Sequence, residues 1–467
     1  MSSSAPASEA NSFPLALLED LSCPCCGSRF AVVQEVHSSQ GGIRHGVLRC
    51  DCYEYPVVCG IPVLRQLGPA SSTRNEAVEL LKRRDPTRAL RWLFENAGAV
   101  GVLAPSATSR GSAGKSIVSR WLLGQVRHKG WSRFEGSPGG FKSALQESRP
   151  RGYADYLYYR PAYPSLLGAI PPLVVLGDSC RKSSRRRVID LLCGVGHASA
   201  ILDALYPELE TIAADIDFVN LYLSQRFVAP RSAAICLDAE LPLPFADASL
   251  DAFFCLDGLH YVRSKVALLR EVDRVLTAEG IWVFAHMHNA AGQNVNAGAP
   301  LSAKEYSRRF AFGQHRMLSK LDVLQQYQTS GCLDLVSQPD TASVESSNAL
   351  ILMGARTEDL WTRHSGLEDA LRRRPDLLGF NPIYRVEEAT DGLTLTSAYP
   401  SESLRQECVG KTPILPDEVH IPARVLKEIR EMISLGALSG VLRMLLRSFV
   451  IVPLPNCYPR PSCSVNS

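Results

Sequence analysis

The feature that most constrains the fold is a short apolar run closed by two glycines, Val188-Ile-Asp-Leu-Leu-Cys-Gly-Val-Gly-His. Such a run predicts a buried strand, and Gly194 and Gly196 let the backbone turn sharply into the helix that follows. A strand, a glycine turn and a helix in this order are typical of the first unit of an open α/β sheet, where the backbone approaches a cofactor closely. We therefore expect a binding site at this turn.

Short apolar runs continue to alternate with helical stretches beyond this turn. Further strands are predicted at Thr211–Ala214, Ala233–Leu237, Ala252–Leu256 and Ile281–Phe284. Strands that alternate with helices indicate a parallel sheet covered on both faces. Two later runs, Leu333–Ser337 and Ala349–Gly354, are expected to pair as a closing hairpin, which would complete an α/β sheet of seven strands.

Carboxylates lie at the ends of the first three strands, where ligands of parallel sheets bind. Asp190 is a candidate to orient the loop or to accept a hydrogen bond from a cofactor amino group. Asp215 is placed to accept hydrogen bonds from two ribose hydroxyls, with Asp217 as the alternative. Asp238 and the backbone amide of Ala239 are placed to read an adenine ring.

The end of the fourth strand should face the reacting atoms of a bound cofactor. Asp257, His260 and Tyr261 are the candidates for substrate contact there, and His260 is the candidate general base. The alternative for His260 is a capping histidine in the helix after the strand. His286 and His288, after the fifth strand, are secondary candidates for a functional role.

The order of these motifs resembles class I S-adenosylmethionine-dependent methyltransferases. The resemblance also rests on Leu241-Pro-Leu-Pro-Phe-Ala-Asp and on Leu269-Arg-Glu-Val-Asp-Arg-Val-Leu-Thr-Ala-Glu-Gly. It implies a Rossmann-like seven-stranded sheet over residues 151–356 and S-adenosylmethionine as cofactor. The residues it assigns to the cofactor are Asp190, Gly194, Gly196, Asp215, Asp238 and Ala239. One departure is Leu192, where the family commonly has glycine.

Two alternatives to this interpretation use the same residues. The carboxylates and glycines could merely cap and turn an α/β sheet, or the pocket could hold a nicotinamide dinucleotide. The spacing Gly194-Val-Gly-His-Ala-Ser lacks the third glycine of the dinucleotide fingerprint.

A second cluster of chemistry lies near the N-terminus, in residues 21–66. Cys23-Pro-Cys-Cys26 and Cys50-Asp-Cys52 place two thiol pairs a β-hairpin apart, which is the arrangement of a tetrahedral zinc site. Cys23, Cys26, Cys50 and Cys52 are the expected ligands, and Cys25 or Cys59 could substitute. The segment resembles the small zinc-ribbon domains of the methyltransferase-activator type. A ribbon that has lost its metal is the alternative, because the second pair has one intervening residue where two are usual.

The remaining segments are predicted from composition and periodicity. Residues 1–20 are expected to be a disordered tail, 67–150 a helical linker or lid with helices interrupted at Pro86, and 357–467 a mixed C-terminal extension on the sheet. Gly111-Ser-Ala-Gly-Lys-Ser lacks the first glycine of a phosphate-binding loop. The apolar stretch Ile433–Pro455 contains Arg443 and Arg447, so no stable membrane span is expected.

Three functions agree with these patterns. The first is methyl transfer to a small-molecule acceptor, with the aromatic segment Tyr153–Tyr163 as a candidate to shape the acceptor pocket or simply to pack. The second is RNA-base methylation, for which the basic run Arg181–Arg187 could contact phosphates. The third is a non-catalytic scaffold. A net charge of +3 over 467 residues requires no polyanionic partner, and scattered cysteines favour a reducing cytoplasm.

Overall fold

The computed structural model describes residues 11–39, 41–65, 75–96, 140–183, 186–292, 298–409, 414–435 and 439–459. The N-terminal part is a five-stranded antiparallel sheet. One short helix follows its first strand in the chain, and two helices follow its last strand. Its elements are β1 (Phe13–Pro14), α1 (Leu15–Glu19), β2 (Ala31–Ser39), β3 (Gly42–Arg49), β4 (Glu54–Val58), β5 (Ile61–Pro62), α2 (Glu76–Lys82) and α3 (Pro86–Asn96).

The prediction of a disordered tail up to residue 20 is wrong from Phe13 onward. Phe13 and Leu17 are fully buried, and β1 pairs with β3. The apolar residues Phe13, Leu17 and Leu18 are too few and too close together to show a periodicity, so their burial depends on partners distant in the chain. The helix break predicted at Pro86 is confirmed, because α3 begins at that residue. The incomplete phosphate-loop motif at 111–116 falls outside the described residues.

The N-terminal sheet is attached directly to the edge of a larger one. Val63 forms a parallel bridge with Cys236, and the Leu64 amide donates to the Cys236 carbonyl over 2.7 Å. Leu21 forms a second bridge, with Phe245. These backbone bonds satisfy part of the edge that strand Ala233–Cys236 would otherwise expose.

Described residues 140–183, which lead into the central sheet, contain the α-helices α4 (Phe141–Ser148), α5 (Arg151–Tyr158), α6 (Pro164–Leu167) and α7 (Ile170–Lys182). Proline stands at the first or second position of α6 and α7, where its missing N–H costs no helical hydrogen bond. Ten of the thirteen residues of α7 are buried, which makes it an internal helix between the sheet and the C-terminal extension.

The central sheet has seven strands, as predicted. The elements from residue 187 to residue 355, in chain order, are β6 (Arg187–Leu191), α8 (His197–Leu205), β7 (Glu210–Asp215), α9 (Phe218–Leu223), β8 (Ala233–Cys236), β9 (Leu250–Leu256), α10 (Lys265–Val275), β10 (Leu276–His288), α11 (Ala303–Arg309), β11 (Gln314–Ser319), α12 (Lys320–Ser330), β12 (Cys332–Asp334), α13 (Thr341–Ser346) and β13 (Ala349–Ala355). All of these strands except β12 belong to the central sheet. The strand order is β11-β13-β10-β9-β6-β7-β8, and only β13 runs antiparallel to its neighbours.

The predicted hairpin between Leu333–Ser337 and Ala349–Gly354 is wrong. β13 pairs with β10 and β11, whereas β12 leaves the sheet and pairs with β14 (Arg363–Ser365). β11 is an edge strand, and its first residues, Gln314 to Arg316, are exposed or half-buried. An edge strand that is polar on one half carries little apolar alternation, so its sequence did not indicate a strand.

Successive residues of each central strand point to opposite faces, and a separate apolar cluster covers each face. Ile281 and Val283 belong to one cluster, and Trp282 and Phe284 to the other. The N-terminal sheet contributes Phe13, Leu48 and Tyr55, among others, to the cluster of Trp282. The C-terminal extension packs on the opposite face.

The C-terminal extension contains two small antiparallel sheets among helices. Its elements after β14 are α14 (Leu367–Leu371), β15 (Leu378–Phe380), β16 (Tyr384–Ala389), β17 (Gly392–Ser397), α15 (Glu402–Val409), β18 (Glu418–Pro422), α16 (Ala423–Leu435), α17 (Gly440–Arg447) and β19 (Ile451–Pro453). β15 pairs with β19, and β16, β17 and β18 form a three-stranded sheet. Within the part of the chain that the structure describes, no helix has the length and apolarity needed to cross a membrane.

Candidate functional site

A cavity of about 380 Å³ opens at the carboxyl ends of β6, β7 and β9, under helix α5. Its size falls in the usual range for small-molecule sites. The residues that line it are Gly152, Tyr153, Tyr156, Leu157, Arg160, Asp190, Leu192, Cys193, Gly194, Val195, His197, Ala198, Asp215, Ile216, Asn220, Leu256, Asp257, Gly258 and Tyr261. The structure thus brings together the glycine turn, the first two carboxylates and the end of the fourth strand.

The glycine turn requires both of its glycines. Gly194 has φ +57° and Gly196 has φ +78°, a conformation that side chains disfavour. A Cβ on Gly196 would lie 2.3 Å from the Ser224 hydroxyl oxygen, so close packing against α9 also excludes a side chain there. Apart from Gly194 and its two neighbours in the chain, no described residue has a heavy atom within 4 Å of the position that a Cβ would occupy on Gly194. The backbone at Gly194 is therefore open to a ligand.

Leu192, which departs from the family pattern, also lies in the left-handed region, with φ +61°. The position is thus one that glycine would occupy without strain. The Leu192 side chain contacts the backbone turn at Gly258, where an added Cβ would lie 2.7 Å from it. Packing between the first and fourth strand ends therefore offsets the strain at Leu192.

Asp190 has one carboxylate oxygen in use and one without a partner. The amide and the hydroxyl of Ser199 both donate to Oδ2, over 3.1 and 2.7 Å. Oδ1 is buried and has no hydrogen-bond partner within the described residues. Burial raises the pKa of Asp190 to about 7, against the two Ser199 hydrogen bonds that lower it. A buried acceptor of this kind is costly unless a ligand supplies the missing donor.

Asp215 is held by two backbone amides. Gly194 N–H donates to Oδ2 and Asp217 N–H to Oδ1, each over 2.8 Å. Each carboxylate oxygen has a second lone pair, so Asp215 can still accept from two hydroxyls of a ligand. Burial raises its pKa to about 6. Asp217, the alternative candidate, instead caps α9 and pairs with Arg149 over 2.7 Å.

The structure does not place Asp238 and Ala239 in the wall of this cavity. Asp238 Oδ1 accepts from the Glu240 amide over 3.0 Å, so its carboxylate stabilises the turn after β8. Ile216, which follows β7, contributes to the wall on that side. A role of Asp238 and Ala239 in cofactor binding stays a prediction.

The wall opposite the glycine turn is formed by Asp257 and by side chains of the aromatic segment. Arg160 pairs with Asp257 Oδ2 over 3.1 Å, and the Tyr156 hydroxyl donates to the same oxygen over 3.3 Å. Tyr153 stacks on Tyr156 with ring centroids 6.1 Å apart. Arg160 was not among the predicted site residues, although it is the single basic side chain within Tyr153–Tyr163. Its position as the one basic residue in an aromatic segment was the sequence signal that could have identified it as a site residue.

His260, the predicted base, is buried but does not line the cavity. It lies in a 3-10 turn over Leu259–Tyr261, which directs its ring onto His288 with centroids 3.6 Å apart. Burial, together with the charges of neighbouring groups, lowers the pKa of His260 to about 2. An imidazole in this position is neutral and separated from the cavity, whereas Tyr261 lines it.

The four predicted zinc ligands come together in the N-terminal sheet. The sulfur atoms of Cys23, Cys26, Cys50 and Cys52 all lie within 4.8 Å of one another. Cys23 and Cys50 are buried, and Cys26 and Cys52 are exposed. Hydrogen bonds from Ser28 lower the pKa of Cys26 to about 6, which favours the thiolate. Cys59 lies outside this group, next to His45.

The basic run before β6 lies at the other end of the sheet from the cavity. Arg187 pairs with Asp20 over 2.6 Å and with Glu210 over 2.9 Å, and Arg181 pairs with Asp178 over 3.7 Å. The charges of Arg181 and Arg187 are therefore paired with carboxylates of the same chain.

Comparison with known proteins finds partial matches over the residues that form much of this cavity. Residues 189–284 match the family model described as "Methyltransferase domain". The chain is 30% identical over 104 residues to a malonyl-(acyl-carrier protein) O-methyltransferase of Legionella pneumophila, which is 22% of this chain and 37% of the relative. It is 35% identical over 112 residues to the enzyme of the same name from a Methylovorus species, which is 22% of this chain and 38% of the relative. The match therefore spans less than two fifths of each relative.

A solved structure is also similar in part. The TehB-like SAM-dependent methyltransferase from Corynebacterium glutamicum is 13% identical, and the alignment covers 39% of this chain and 85% of that one, with a TM-score of 0.28.

Proposed function

We propose that this chain, which contains a methyltransferase domain over residues 189–284, transfers a methyl group from S-adenosylmethionine to a small-molecule acceptor. The observation that carries the proposal is that one cavity is lined both by Asp190, whose buried Oδ1 has no partner among the described residues, and by the open backbone of Gly194. When bound, S-adenosylmethionine supplies an electrophilic methyl group on a sulfonium. The residues of the cavity fit this cofactor.

Each end of the cofactor has a matching group in the cavity. Asp190 Oδ1 would accept from its ammonium group, which is the missing donor. Asp215 would accept from the ribose hydroxyls with the lone pairs that the Gly194 and Asp217 amides leave free. Ile216 offers an apolar surface to the adenine side. Asp238 and Ala239 are proposed to reach the adenine from the next turn.

The acceptor side favours an oxygen nucleophile on a small, anionic molecule. Arg160 is a buried cation at the wall, and Tyr156 and Tyr261 also line the cavity. A carboxylate carries no proton at neutral pH, so its alignment for in-line displacement requires no general base. The curated relatives are named as O-methyltransferases of malonyl-acyl-carrier protein, which agrees with an acidic oxygen acceptor.

We also propose that the cysteine group of the N-terminal sheet binds Zn²⁺. Four sulfur atoms within 4.8 Å of one another match a tetrahedral thiolate site. Metal analysis of the full chain should find bound zinc. The Cys50→Ser variant should lose this zinc, whereas Cys59→Ser, which changes a cysteine outside the group, should retain it. Equal zinc content in the two variants would contradict the assignment.

Binding of S-adenosylmethionine, measured by calorimetry, tests the cofactor site. Gly194→Arg should abolish binding, because the new side chain would occupy the open space in front of the backbone. Gly140→Arg is the matched control, since Gly140 is exposed with open space around it. Wild-type affinity in Gly194→Arg would remove the basis of the proposal.

The acceptor is tested with tritiated S-adenosylmethionine in a cell extract. The products are separated into RNA, protein and small-molecule fractions. Label in the small-molecule fraction, and its absence with Gly194→Arg, is the expected result. Label confined to RNA would contradict the choice of acceptor.

A further inference from the structure

Next to the cavity, two histidines and Asp257 converge on one point. Asp257 follows β9, and His286 and His288 end the neighbouring strand β10. The Nε2 atom of His286 lies 3.8 Å from Asp257 Oδ1, and that of His288 lies 3.7 Å from the same oxygen. One ligand atom from each side chain lies within 4.8 Å of the other two. We infer that Asp257, His286 and His288 form a binding site for a divalent transition-metal ion.

The distances suit a shared ion better than hydrogen bonds. Both nitrogen-to-oxygen distances exceed the range in which a hydrogen bond is effective. Two ligand atoms each about 2.1 Å from a common ion lie about 3.0 to 3.5 Å apart at octahedral or tetrahedral angles. A shift of a few tenths of an ångström would therefore bring each histidine nitrogen and Asp257 Oδ1 to the separation of two ligands on one ion.

The polar atoms of this group are buried and unsatisfied. Asp257 Oδ1 and the Nδ1 atoms of His286 and His288 have no hydrogen-bond partner in the described parts of the chain. A metal ion at this point would supply the partner that Asp257 Oδ1 lacks.

The backbone is held in unusual conformations to bring these residues together. Asp257 has φ +57° and His286 has φ +53°. The register of the pairing between β10 and β13 shifts between Phe284 and Met287, which indicates a β-bulge. Such strain persists where the surrounding structure imposes it, often at ligand sites. The bulge lets both histidines face Asp257.

Two histidines and one carboxylate, with further positions open, favour Fe²⁺, Mn²⁺, Co²⁺ or Zn²⁺ over Mg²⁺ or Ca²⁺. The Arg160 guanidinium pairs with the opposite oxygen of Asp257, so the ion and Arg160 would share one carboxylate. The consequence for the reaction rests on the proposed function: an ion on Oδ1 would weaken the hold of Asp257 on Arg160 and leave Arg160 available to an anionic acceptor.

Titration of the full chain with Co²⁺, followed by absorption spectroscopy, tests the site. We expect two classes of bound ion. Ions in the cysteine group give thiolate-to-metal charge-transfer bands, and the ion at Asp257 gives only ligand-field bands. His286→Gln and His288→Gln should each weaken the second class at least tenfold, whereas His364→Gln, which changes a half-buried histidine of β14, should not.

Three outcomes are decisive. A wild-type chain that shows only the thiolate class overturns the site, even if a variant fails to fold. Retention of the second class in both histidine variants overturns it as well. Calorimetry with S-adenosylmethionine on the same samples separates the two proposals, because cofactor binding without the second ion rejects only the metal site, and the ion without cofactor binding rejects only the methyltransferase assignment.

Discussion

At the scale of single residues, the cavity depends on carboxylates that burial has made weakly acidic. Asp190 and Asp215 lie at the ends of adjacent strands, and the nearby charge of Asp215 raises the pKa of Asp190 further. A cationic ligand group at Asp190 would offset the free-energy cost of ionising this buried carboxylate. The two carboxylates therefore make the site complementary to a ligand that carries a positive charge and hydroxyl groups.

The pH dependence of cofactor binding follows from the raised pKa of Asp190, about 7. An ammonium group binds the ionised carboxylate, so affinity should fall as the pH falls below 7 and Asp190 takes up a proton. Between pH 7.5 and 5.5 we expect a loss of roughly 25-fold, measured by calorimetry. Asp190→Asn should bind weakly with a much smaller dependence on pH. Affinity that rises toward pH 5.5 would contradict this charge assignment.

Leu192 provides a second test at the residue scale. Glycine relieves a left-handed backbone that costs other residues about 1–2 kcal/mol. Leu192→Gly and Leu192→Ala both lose the leucine side chain, but only glycine also removes the strain at φ +61°. We expect Leu192→Gly to exceed Leu192→Ala in free energy of unfolding by about 1 kcal/mol, as determined by urea denaturation. Equal stabilities would show that the turn relaxes in the variants.

At the scale of elements, helices α4 and α5 form a lid tied to the sheet by one buried ion pair. Arg149, between these helices, donates to Asp217 and to Asn220, each over 2.7 Å. Asp217 is also the cap of α9, and Tyr153 of α5 accepts from Asn220 over 3.1 Å. One guanidinium therefore positions these helices against the side of the cavity that Asp215 lines.

Removing this guanidinium should be strongly destabilising. Arg149→Met leaves the buried Asp217 carboxylate without its cation, and breaking such a pair costs about 3–5 kcal/mol. The matched control is Arg91→Met, because the Arg91–Glu95 pair is solvent-exposed and should change stability by less than about 1 kcal/mol. Chemical denaturation of both variants compares the two losses. A similar small effect in both would mean that the lid is not held by this pair.

At the scale of the whole molecule, the C-terminal extension reaches back to the cavity. The Tyr458 hydroxyl donates to the Tyr158 carbonyl over 2.6 Å and lies 2.8 Å from His197 Nε2. His197 begins α8 and lines the cavity. A continuous apolar cluster joins this region to the sheet, so the extension and the sheet should unfold together.

Tyr458→Phe tests this coupling. It leaves a buried histidine nitrogen and a carbonyl unpaired, which should cost about 1–3 kcal/mol and lower the midpoint of the main thermal transition without creating an earlier one. Tyr327→Phe is the control, because its buried hydroxyl has no hydrogen-bond partner among the described residues. Circular dichroism and tryptophan fluorescence should report the same shift. An early separate transition in Tyr458→Phe would show that the extension unfolds independently.

The sequence by itself determined those features that depend only on residues close together in the chain. The strands of the parallel sheet, the glycine turn, Asp190, Asp215 and the clustering of the four cysteines could all be predicted, because each depends on period, spacing or backbone freedom within a few residues. Burial on both faces makes such strands continuously apolar, and that pattern is visible without a partner.

Only the tertiary structure decided how distant segments meet. The pairing of Gln314–Ser319 with β13, the burial of Phe13, the path of His260 away from the cavity and the approach of His286 and His288 to Asp257 all arise from long-range contacts. Such contacts depend on chain closure and on strained turns, which the residues themselves do not reveal. The strand pattern and the glycine turn predict the cofactor site that we propose, whereas the neighbours of Asp257, which form the proposed acceptor side, come together only in the tertiary structure.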